Sequence, residues 1–390
     1  MAAEQTGFDA ASFRGCDAVV RLQRGRMPNL RLAIVGCGGV AAMHARHLLH
    51  LSGVEICACI DRDRARAEAF AARWAPGARI GTDYDEALAL RPEVVDLCTP
   101  PHLHAPMALT ALAAGCHVIL EKPLAGSLAE FDQLLAAEVQ TGRLVLPVLQ
   151  NRLGEGPRQL RALVEAGLTG RFLHATCETV WRRGTDYYAS PWRGKYATEL
   201  GGPLTGLLVH QLDLVLGFAP PLAAVAAHAA TLVLPIEVES TGVLLGSLAD
   251  GGWLTATVTV HAQRQLSRGV LVFEHLQAEF GDHPYDYAET PWRITCSDPA
   301  RQTQVDALLA ALPADPTPAG LGQIWWRQAR IWAALVRGET LPAARLTYAR
   351  LSTARPALEA LSAAYASART GRRIPLPIGP EDEAYRRYAP

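Results

Sequence analysis

A glycine-rich turn near the start of the chain restricts the folds that this sequence can adopt. The pattern G-x-G-x-x-A occupies Gly36-Cys37-Gly38-Gly39-Val40-Ala41, directly after an apolar strand pattern at Arg31–Val35 and at the start of a helical pattern. Gly36 allows the tight turn, Gly38 lets a pyrophosphate approach the backbone, and Ala41 keeps the helix close to the sheet. The helix N-terminus then offers free N–H groups and a positive dipole end to phosphates. The motif therefore predicts a dinucleotide-binding βαβ unit.

The rest of the N-terminal third alternates short apolar runs with alanine-rich helical segments. Uninterrupted apolar strands separated by helices indicate a parallel sheet that is covered on both faces. We therefore predict an α/β fold with a doubly wound Rossmann domain over residues 30–150. The predicted strands are Leu32–Val35, Val54–Ile60, Val94–Thr99, His117–Leu120 and Leu144–Val148, and the predicted helices include Arg64–Trp74 and Ala105–Ala114.

After residue 150 the pattern changes to strands without helices between them. A helix is predicted at Pro157–Ala166, and Asp250-Gly251-Gly252 is typical of a hairpin turn. Consecutive strands joined by turns imply an antiparallel sheet, and their alternation leaves one face free for a ligand or a subunit partner. Residues 151–390 are predicted to form an α+β domain with an open-faced, mainly antiparallel sheet. Its predicted strands are Phe172–Trp181, Ala223–Leu234, Thr241–Leu248, Trp253–Val260 and Val270–Phe280, with closing helices at Ile324–Val336 and Leu346–Ala368.

The charge balance points away from nucleic acids and membranes. Lysine and arginine number 37 and aspartate and glutamate 38, which gives a formal net charge of −1. Such a chain has no long-range attraction to nucleic acid or to anionic lipid, so a small-molecule substrate is the expected partner. No uninterrupted apolar run reaches the roughly 18 residues that a membrane helix needs. We expect neither a nucleic-acid partner nor a membrane span.

The cysteine pattern and the first residues indicate a reducing compartment. The eight cysteines include no C-x-x-C pair, so neither a metal site nor a disulfide framework is expected. The first 26 residues lack the apolar centre of a signal peptide, and they carry Glu4, Asp9 and Asp17, which argues against a transit peptide. We expect residues 1–29 to be an N-terminal extension and the protein to be cytoplasmic.

An acidic residue ends the second predicted strand. Asp61 lies 25 residues after Gly36, where a carboxylate accepts hydrogen bonds from the adenosine ribose hydroxyls and repels a 2′-phosphate. This favours NAD. Arg62 follows at once and offers a partner for the 2′-phosphate of NADP, although Arg62, Arg64 and Arg66 also fit a solvated helix start. NAD is the predicted cofactor, with NADP left open.

Polar residues lie at the ends of the predicted strands Val94–Thr99 and His117–Leu120, at the sheet edge where parallel sheets bind ligands. Thr99-Pro100 with His104 follows one strand, and Glu121-Lys122-Pro123 follows the other. His210 and Asp213 lie three positions apart on an apolar helix and therefore share a face. Taken singly, each has a structural interpretation: Lys122 is a solvated lysine, His104 begins a helix, and His210 is buried beside a carboxylate.

Together and in this order, these motifs resemble those of the glucose-fructose oxidoreductase / inositol dehydrogenase / MocA family. The resemblance covers roughly residues 30–380. Glu-Lys-Pro directly after the predicted strand His117–Leu120 is quite specific for that family. The matching motifs are the glycine-rich turn, Thr99-Pro100 with His104, Ala114-Gly115-Cys116-His117-Val118 before Glu121-Lys122-Pro123, Gly201-Gly202 with His210 and Asp213, and Ser367-Ala368-Arg369-Thr370-Gly371.

The resemblance implies an oxidoreductase that transfers a hydride between NAD(P) and a secondary alcohol or carbonyl of a sugar, polyol or related small molecule. It also implies a homodimer or homotetramer assembled through the C-terminal sheet, a nicotinamide ring near Lys122 and His210, and a cis peptide between Lys122 and Pro123. We expect His210 to act as general base, because its ordinary pKa lies near working pH. Lys122, as an ammonium, is expected to stabilise the developing alkoxide.

Further contacts are expected around this catalytic pair. A loop containing Trp192-Arg193-Gly194, with several tyrosines nearby, is typical of a substrate-facing segment, and Arg152 lies at the predicted domain junction. The cofactor side is assigned to Gly36, Cys37, Gly38, Gly39, Val40, Ala41, Asp61, Arg62, Thr99, Pro100, His104, Glu121 and Lys122. The substrate side is assigned to Lys122, Arg152, Tyr188, Trp192, Arg193, Thr205, His210 and Asp213.

One position departs from the family pattern. Many sugar and inositol dehydrogenases of this family carry Asp or Asn four residues before the catalytic histidine, whereas this chain has Gly206, with Thr205 beside it. The family's usual Lys–Asp–His triad is therefore incomplete: either Lys122 and His210 suffice, or another group supplies the missing contact, or the chain does not turn over polyols efficiently. Two other interpretations also stay open. One is a non-catalytic, dinucleotide-binding regulatory or sensor protein; the other is reduction of a keto-sugar or imine with NADPH bound through Arg62. The intact Lys122 and His210 favour an enzyme.

Overall fold

The computed structural model describes residues 29–281, 283–339 and 348–388. The predicted N-terminal extension, apart from Asn29, lies outside these ranges, as does the start of the helix predicted from Leu346. No helix within them combines the length and the apolarity that a membrane crossing requires.

Six parallel strands alternate with helices along the N-terminal third of the chain. The elements are β1 (Leu30–Val35), α1 (Gly39–Leu48), β2 (Val54–Ile60), α2 (Arg64–Trp74), β3 (Arg79–Gly81), α3 (Tyr84–Ala89), β4 (Val94–Leu97), α4 (His104–Ala113), β5 (His117–Leu120), α5 (Leu128–Thr141) and β6 (Val145–Pro147). The strand order is β3-β2-β1-β4-β5-β6. This order places a topological switch between β1 and β4, where the carboxyl ends of the strands form a crevice for ligands.

The predicted doubly wound sheet is confirmed, and most strand bounds agree within two residues. Every residue of β4 and of β5 is buried, as expected for strands with helices on both faces. The edge strand β3 was not predicted. Its three residues include the exposed Arg79, so the sequence offers no apolar run long enough to mark a strand.

The second half of the chain contains a mixed sheet and several helices. Its helices are α6 (Glu155–Glu165), α7 (Tyr196–Glu199), α8 (Val209–Leu216), α9 (Pro299–Ala310), α10 (Gln323–Val336), α11 (Leu351–Thr370) and α12 (Glu383–Arg386). Its strands are β7 (Phe172–Arg182), β8 (Leu222–Ala230), β9 (Thr241–Leu248), β10 (Trp253–Thr259), β11 (His261–Phe273), β12 (Gln277–Phe280), β13 (Arg293–Thr295) and β14 (Ile374–Pro375). The strand order is β13-β12-β11-β7-β10-β9-β8-β14.

The mainly antiparallel α+β domain is confirmed, with one exception in the pairing. Strands β7 and β10 run parallel, with Trp253 opposite His174 and Thr259 opposite Val180. The chain leaves β7 through the segment of α7 and α8 and re-enters the sheet from β8, so β10 meets β7 in the same direction. The predicted turn at Asp250-Gly251-Gly252 joins β9 to β10, and the Leu248 N–H donates to the Gly252 carbonyl at 2.8 Å.

One predicted strand was wrong. Residues Val270–Phe280 form the end of β11, a tight turn and β12, instead of one continuous strand. The Phe273 N–H donates to the Leu276 carbonyl at 2.8 Å and closes the turn. The turn residues Glu274 and His275 include no glycine or proline, so the usual sequence signal for a hairpin is missing. Helix α9 was also not predicted, although Asp298 caps its N-terminus and Pro299 occupies its first turn.

The mixed sheet has one packed face and one open face. Leu244 and Leu254 are fully buried in the same apolar core as Leu358 of α11. On β9 and β10, Val243 is 45% exposed and Trp253 is 49% exposed. The alternation of buried and exposed residues along β9 gives the open face that the sequence predicts.

Helix α10 returns from the second half of the chain to the parallel sheet. Trp332 and Ala333 belong to the same buried cluster as Leu32 of β1 and Leu48 of α1. The His44 ring on α1 lies 5.5 Å from the Trp332 ring. We propose a domain boundary near residue 150, after the last parallel strand, with α10 as a helix of the second domain that covers the first.

Candidate active site at the edge of the parallel sheet

The glycine-rich turn has the local geometry that a phosphate-binding loop requires. Gly36 has φ of +90°, and a Cβ there would lie 2.5 Å from the carbonyl oxygen of Cys98, so only glycine fits. Gly38 caps α1, and within the described residues no side-chain hydrogen bond caps the first turn of the helix. A Cβ at Gly38 or Gly39 would meet nothing within 4 Å. The helix N-terminus therefore faces open space that a pyrophosphate fits.

Asp61, at the end of β2, holds the glycine-rich turn. One carboxylate oxygen accepts from the Cys37 N–H at 3.0 Å, and the other accepts from the Asp63 N–H at 2.9 Å. The carboxylate keeps free lone pairs for a ribose hydroxyl, since each oxygen can accept more than one hydrogen bond. Arg66 lies 3.8 Å from Asp61, and both Arg66 and Arg62 are exposed. Arg66, which the sequence interpretation assigned to a solvated helix start, thus lies beside the proposed ribose acceptor.

His104 joins the two loops that follow β4 and β5. Its ring nitrogens lie 2.7 Å from the carbonyl oxygen of Pro123 and 2.9 Å from that of Thr99. The ring is buried, so His104 positions these loops from behind. The hydroxyl oxygen of Thr99 is buried and has no hydrogen-bond partner in the described part of the chain. The Lys122–Pro123 peptide is cis, as the family resemblance implied.

Glu121 and Lys122 form the wall of the crevice beyond β5. Glu121 is buried and accepts from the Lys122 backbone N–H at 3.1 Å. Burial acts to raise the pKa of Glu121, but the His44 ring and the Lys122 ammonium outweigh it and lower that pKa. The Lys122 Nζ donates to the Gly206 carbonyl at 2.7 Å. Burial lowers the pKa of Lys122 below its ordinary 10.5, and Arg193 acts in the same direction.

His210 lies close to Lys122 on a helical stretch that begins irregularly. Residues Leu204–Leu208 form one π-helical turn, which passes directly into α8 with His210 in its first turn. Burial and the Lys122 charge lower the pKa of His210 to about 3, so its ring is neutral at physiological pH. The His210 Nδ1 is buried and has no partner among the described residues. A neutral imidazole beside an ammonium is a suitable pair for moving one proton to or from a substrate oxygen.

A buried carboxylate that the sequence interpretation missed fixes the start of this helical stretch. Glu239 accepts from the Gly202 N–H and the Leu204 N–H, each at 3.0 Å, and from the Tyr365 hydroxyl at 2.8 Å. A Cβ at Gly201 would lie 2.3 Å from the Tyr365 oxygen, which explains the glycine there. Glu239 precedes β9 and carries no local motif, so only its contacts reveal its role.

Three residues assigned to the substrate are instead occupied by protein partners. Arg152 and Asp213 form a buried ion pair in which the Arg152 Nε donates at 2.7 Å, and Arg152 also donates to the Thr353 carbonyl at 2.9 Å. Thr205 is buried and donates to the Gly202 carbonyl at 3.2 Å. We propose that these contacts are structural, and the substrate role expected from the sequence stays a prediction.

The loop around Trp192 and Arg193 does surround a cavity. The Arg193 guanidinium stacks 3.8 Å from the centre of the Tyr187 ring and 4.2 Å from that of Trp192, and it pairs with Glu199 at 3.3 Å. The adjoining cavity has a volume of about 240 Å³ and is lined by Thr185, Tyr188, Arg193, Gly194, Lys195, Leu234, Pro235, Ile236 and Glu237. Arg193 is thus shared between this cavity and the electrostatic surroundings of Lys122.

Lys195 is a cavity residue that the sequence interpretation passed over. The sequence contains only two lysines, Lys122 and Lys195, among its 37 basic side chains, and both lie at the candidate site. Lysine is a compact charge whose pKa shifts readily, which arginine does not provide. Because the other basic side chains of this sequence are arginines, the positions of its two lysines could have indicated the candidate site from the sequence alone.

Comparison with known proteins identifies the family. Residues 30–148 match the family described as "Oxidoreductase family, NAD-binding Rossmann fold", and residues 158–279 match the "GFO/IDH/MocA C-terminal domain". Together these two matches cover more than half of the chain. The chain belongs to the GFO/IDH/MocA oxidoreductase family.

Several members of that family resemble this chain in sequence. The D-glucoside 3-dehydrogenase of Escherichia coli is 32% identical over 51% of this chain and 57% of its own length. An inositol 2-dehydrogenase of Leifsonia xyli is 36% identical over 37% of this chain and 43% of its own length. The matching part of the chain therefore spans about half the length of these curated relatives.

Solved structures match over nearly the whole chain. The WlbA dehydrogenase of Chromobacterium violaceum, in complex with NADH and UDP-GlcNAcA, superposes with a TM-score of 0.78 at 27% identity and covers 91% of this chain and 98% of its own. Levoglucosan dehydrogenase with NADH and levoglucosan has a TM-score of 0.71 at 20% identity, covering 90% of this chain and 100% of its own. The second likeness concerns the fold alone.

Proposed function

We propose that this member of the GFO/IDH/MocA family is an NAD-dependent dehydrogenase. It transfers a hydride between the nicotinamide ring and a secondary alcohol or carbonyl carbon of a sugar, a polyol or a related small molecule. The observation that carries this proposal is the position of Lys122 relative to His210. The Lys122 ammonium donates to the Gly206 carbonyl at 2.7 Å, and Gly206 lies one helical turn before the neutral His210. Relatives named as sugar and inositol dehydrogenases support it.

The cofactor proposal rests on the glycine-rich turn and Asp61. The open N-terminus of α1 fits the pyrophosphate, and the Asp61 carboxylate is placed to accept from the adenosine ribose while it repels a 2′-phosphate. Arg66 and Arg62 are the groups that NADP would use instead. NAD, when bound, supplies the hydride acceptor. The buried Thr99 hydroxyl, which has no hydrogen-bond partner among the described residues, is a further candidate for a cofactor contact.

The two catalytic candidates divide the proton chemistry between them. Lys122 donates a hydrogen bond to the substrate oxygen and stabilises its developing negative charge. His210 accepts the hydroxyl proton. A ring with a pKa of about 3 is a weak base, so its proton transfer depends on the Lys122 charge making the substrate hydroxyl more acidic. The meeting of Lys122 and His210 favours an enzyme over a non-catalytic sensor, because binding alone needs neither group.

The cavity beside Arg193 suggests which substrates fit. Two cations, Arg193 and Lys195, and one anion, Glu237, line it together with an apolar edge at Leu234 and Ile236. Glu199 already pairs with Arg193, whereas Lys195 is exposed. We propose that Lys195 receives a negatively charged substituent of the substrate, such as the carboxylate of a sugar acid. Lys195→Ala is expected to raise KM for sugar acids and leave KM for neutral polyols unchanged.

We also propose a cytoplasmic homodimer or homotetramer. The seven cysteines in the described ranges are all free, in agreement with a reducing compartment. The exposed apolar residues Val243, Leu245 and Trp253 lie on the open face of the sheet, where a second copy would cover them. Light scattering tests this assembly by comparing the molar mass of Trp253→Glu with that of the wild type. An equal mass would show that the open face of the sheet is not the subunit interface.

The function is tested first by binding and then by turnover. Thermal shift and tryptophan fluorescence with NAD, NADH, NADP and NADPH are expected to show preferential binding of NAD and NADH. NADH formation is then followed with hexoses, inositols and sugar acids as hydride donors. Preferential binding of NADP would contradict the assignment of the ribose contact to Asp61 and would indicate that Arg62 or Arg66 binds the 2′-phosphate. Failure to bind all four nucleotides would contradict the proposed function.

A further inference from the structure

A wholly buried histidine lies between the dinucleotide loop and the catalytic lysine. His44 is on α1, and its Nδ1 lies 3.0 Å from both carboxylate oxygens of Asp96 on β4. Its Nε2 lies 3.5 Å from the Glu121 carboxylate on the other side, an ion-pair contact without a hydrogen bond among the described residues. The rings of Trp325 and Trp332 close the site at 5.4 and 5.5 Å. The His44 ring thus connects α1 with the strand β4, the loop after β5 and α10.

The surroundings favour a charged ring at His44. Burial alone would lower its pKa, but the Asp96 charge and hydrogen bond raise the pKa of His44 well above 6.5. Burial raises the pKa of the Cys98 thiol, so that group stays neutral. The other titratable neighbours are Glu121 and His47. The ring is therefore an imidazolium between two carboxylates.

The chain of contacts continues from His44 to the catalytic lysine. The Glu121 oxygen that faces away from His44 accepts from the Lys122 backbone N–H at 3.1 Å. A carboxylate without a partner on its other side would be free to rotate and release that N–H, and a buried unpaired charge is costly. The direction in which Lys122 projects toward Gly206 therefore depends on where Glu121 is held.

We propose that His44 is a positioning residue for Lys122: it fixes the Glu121 carboxylate, which in turn holds the Lys122 backbone in the orientation needed for hydride transfer. This inference rests on the proposed function. It also couples the two ends of the site, because α1 begins at the phosphate-binding turn. Neither His44 nor Asp96 touches the cofactor or the substrate in this account.

The same cluster has a second interpretation, as a metal site, which its distances disfavour. His44, Asp96 and Cys98 bring three ligand atoms within 4.8 Å of one another. Around a tetrahedral zinc, a histidine nitrogen and a carboxylate oxygen at about 2.0–2.2 Å from the metal lie roughly 3.3 Å apart. Here the Nδ1 is 3.0 Å from both oxygens, which fits a hydrogen bond from the ring to the carboxylate. The metal content of the purified protein is therefore measured as part of the test.

Two substitutions at the same position separate positioning from simple structural support. His44→Gln keeps an N–H donor near the Nε2 position, toward Glu121, whereas His44→Asn keeps one near the Nδ1 position, toward Asp96. We expect kcat to fall about 10-fold to 100-fold in His44→Asn and to stay within a few-fold of wild type in His44→Gln, with NAD affinity unchanged in both. His47→Asn is the control, since the His47 ring is buried on α1 but accepts from the Gly322 N–H.

A second readout does not depend on turnover. Because the sequence contains only Lys122 and Lys195, amine labelling followed by mass spectrometry reports the Lys122 pKa with Lys195 as internal reference. Both His44 variants remove the imidazolium charge, so the labelling midpoint of Lys122 is expected to move in both, further in His44→Asn than in His44→Gln, and to stay in place in His47→Asn.

The outcomes are distinct. Equal kcat and equal labelling in both His44 variants, higher kcat in His44→Asn, or one equivalent of transition metal in the purified wild-type protein would each overturn the inference. Absence of turnover in the wild type, with normal labelling shifts, would contradict the proposed function and leave the positioning of Lys122 supported.

Discussion

The Nζ atom of Lys122 lies 2.7 Å from the backbone carbonyl oxygen of Gly206. Lys122 is therefore paired with a neutral backbone carbonyl of residue 206, the position at which the resemblance implies Asp or Asn. The Gly206 carbonyl accepts one hydrogen bond from the ammonium but carries no net charge. Lys122 therefore keeps its positive charge available for the substrate oxygen. A Cβ at Gly206 would meet nothing within 4 Å, which leaves room for a larger side chain or for part of the substrate.

Gly206→Asp is expected to fold and to change the ionisation of Lys122. The added carboxylate has space and would stabilise the ammonium, so the pKa of Lys122 should rise. The alkaline limb of kcat/KM should then move to higher pH, with Tm close to wild type. Gly206→Ala is the control, and its alkaline limb should not move. If the alkaline limb of kcat/KM lies at the same pH in both variants, the side chain at position 206 does not face Lys122 in solution.

The pH dependence of activity follows from the two pKa shifts. The active form has Lys122 protonated and His210 neutral. Since the pKa of His210 is lowered to about 3 and that of Lys122 is lowered below 10.5, this form exists from about pH 3 up to the lowered lysine pKa. We expect kcat/KM to show no acid limb near 6.5 and an alkaline limb below 10.5. A half-maximal rate near pH 6.5 that disappears in His210→Gln would contradict this assignment.

The Arg152–Asp213 pair is expected to contribute to stability and not to substrate binding. Arg152→Met leaves the buried Asp213 charge unpaired, which typically costs about 3–5 kcal/mol. The double variant Arg152→Met/Asp213→Leu should recover much of that loss. Urea unfolding measures both variants. A single variant with wild-type stability and a raised substrate KM would restore the substrate role that the sequence suggested.

Glu239→Gln is expected to change how stability depends on pH. Burial raises the pKa of Glu239 to about 7, so the folded protein holds this proton more tightly than the unfolded chain does. The resulting stabilisation is complete below about pH 4.5 and is lost as pH rises through 7. The variant should lack this slope and lose about 1–3 kcal/mol through imperfect pairing. Glu237→Gln, exposed and two residues earlier, is the control and should keep the slope.

The sequence was sufficient to predict the parallel sheet and the cofactor loop. The tight turn at Gly36 and the acid at Asp61 are local requirements of a dinucleotide site, and both appear as residue types at fixed spacing. The mixed pairing of β7 with β10 was not predictable in the same way. Strand direction depends on the path of the chain between strands, and alternation within a strand carries no information about its neighbour.

The candidate site was predictable only in part, and for a physical reason. Lys122 and His210 stand out because family motifs mark them. Arg152 and Asp213 look equally functional in sequence, and only their mutual contact shows that they satisfy each other. Glu239 and His44 gain their roles from partners more than 30 residues away in sequence. Charge and spacing identify residues capable of chemistry, whereas burial and partners decide which remain free to perform it.

The most direct test of the central claim is NADH formation by wild-type protein, Lys122→Ala and His210→Ala with the best donor from the substrate screen. Each single variant is expected to lose about 100-fold or more in kcat while its NAD affinity, measured by fluorescence titration, stays near that of the wild type. That result would establish hydride transfer at the Lys122–His210 pair. Near-normal turnover in both variants would contradict the account and place the chemistry elsewhere.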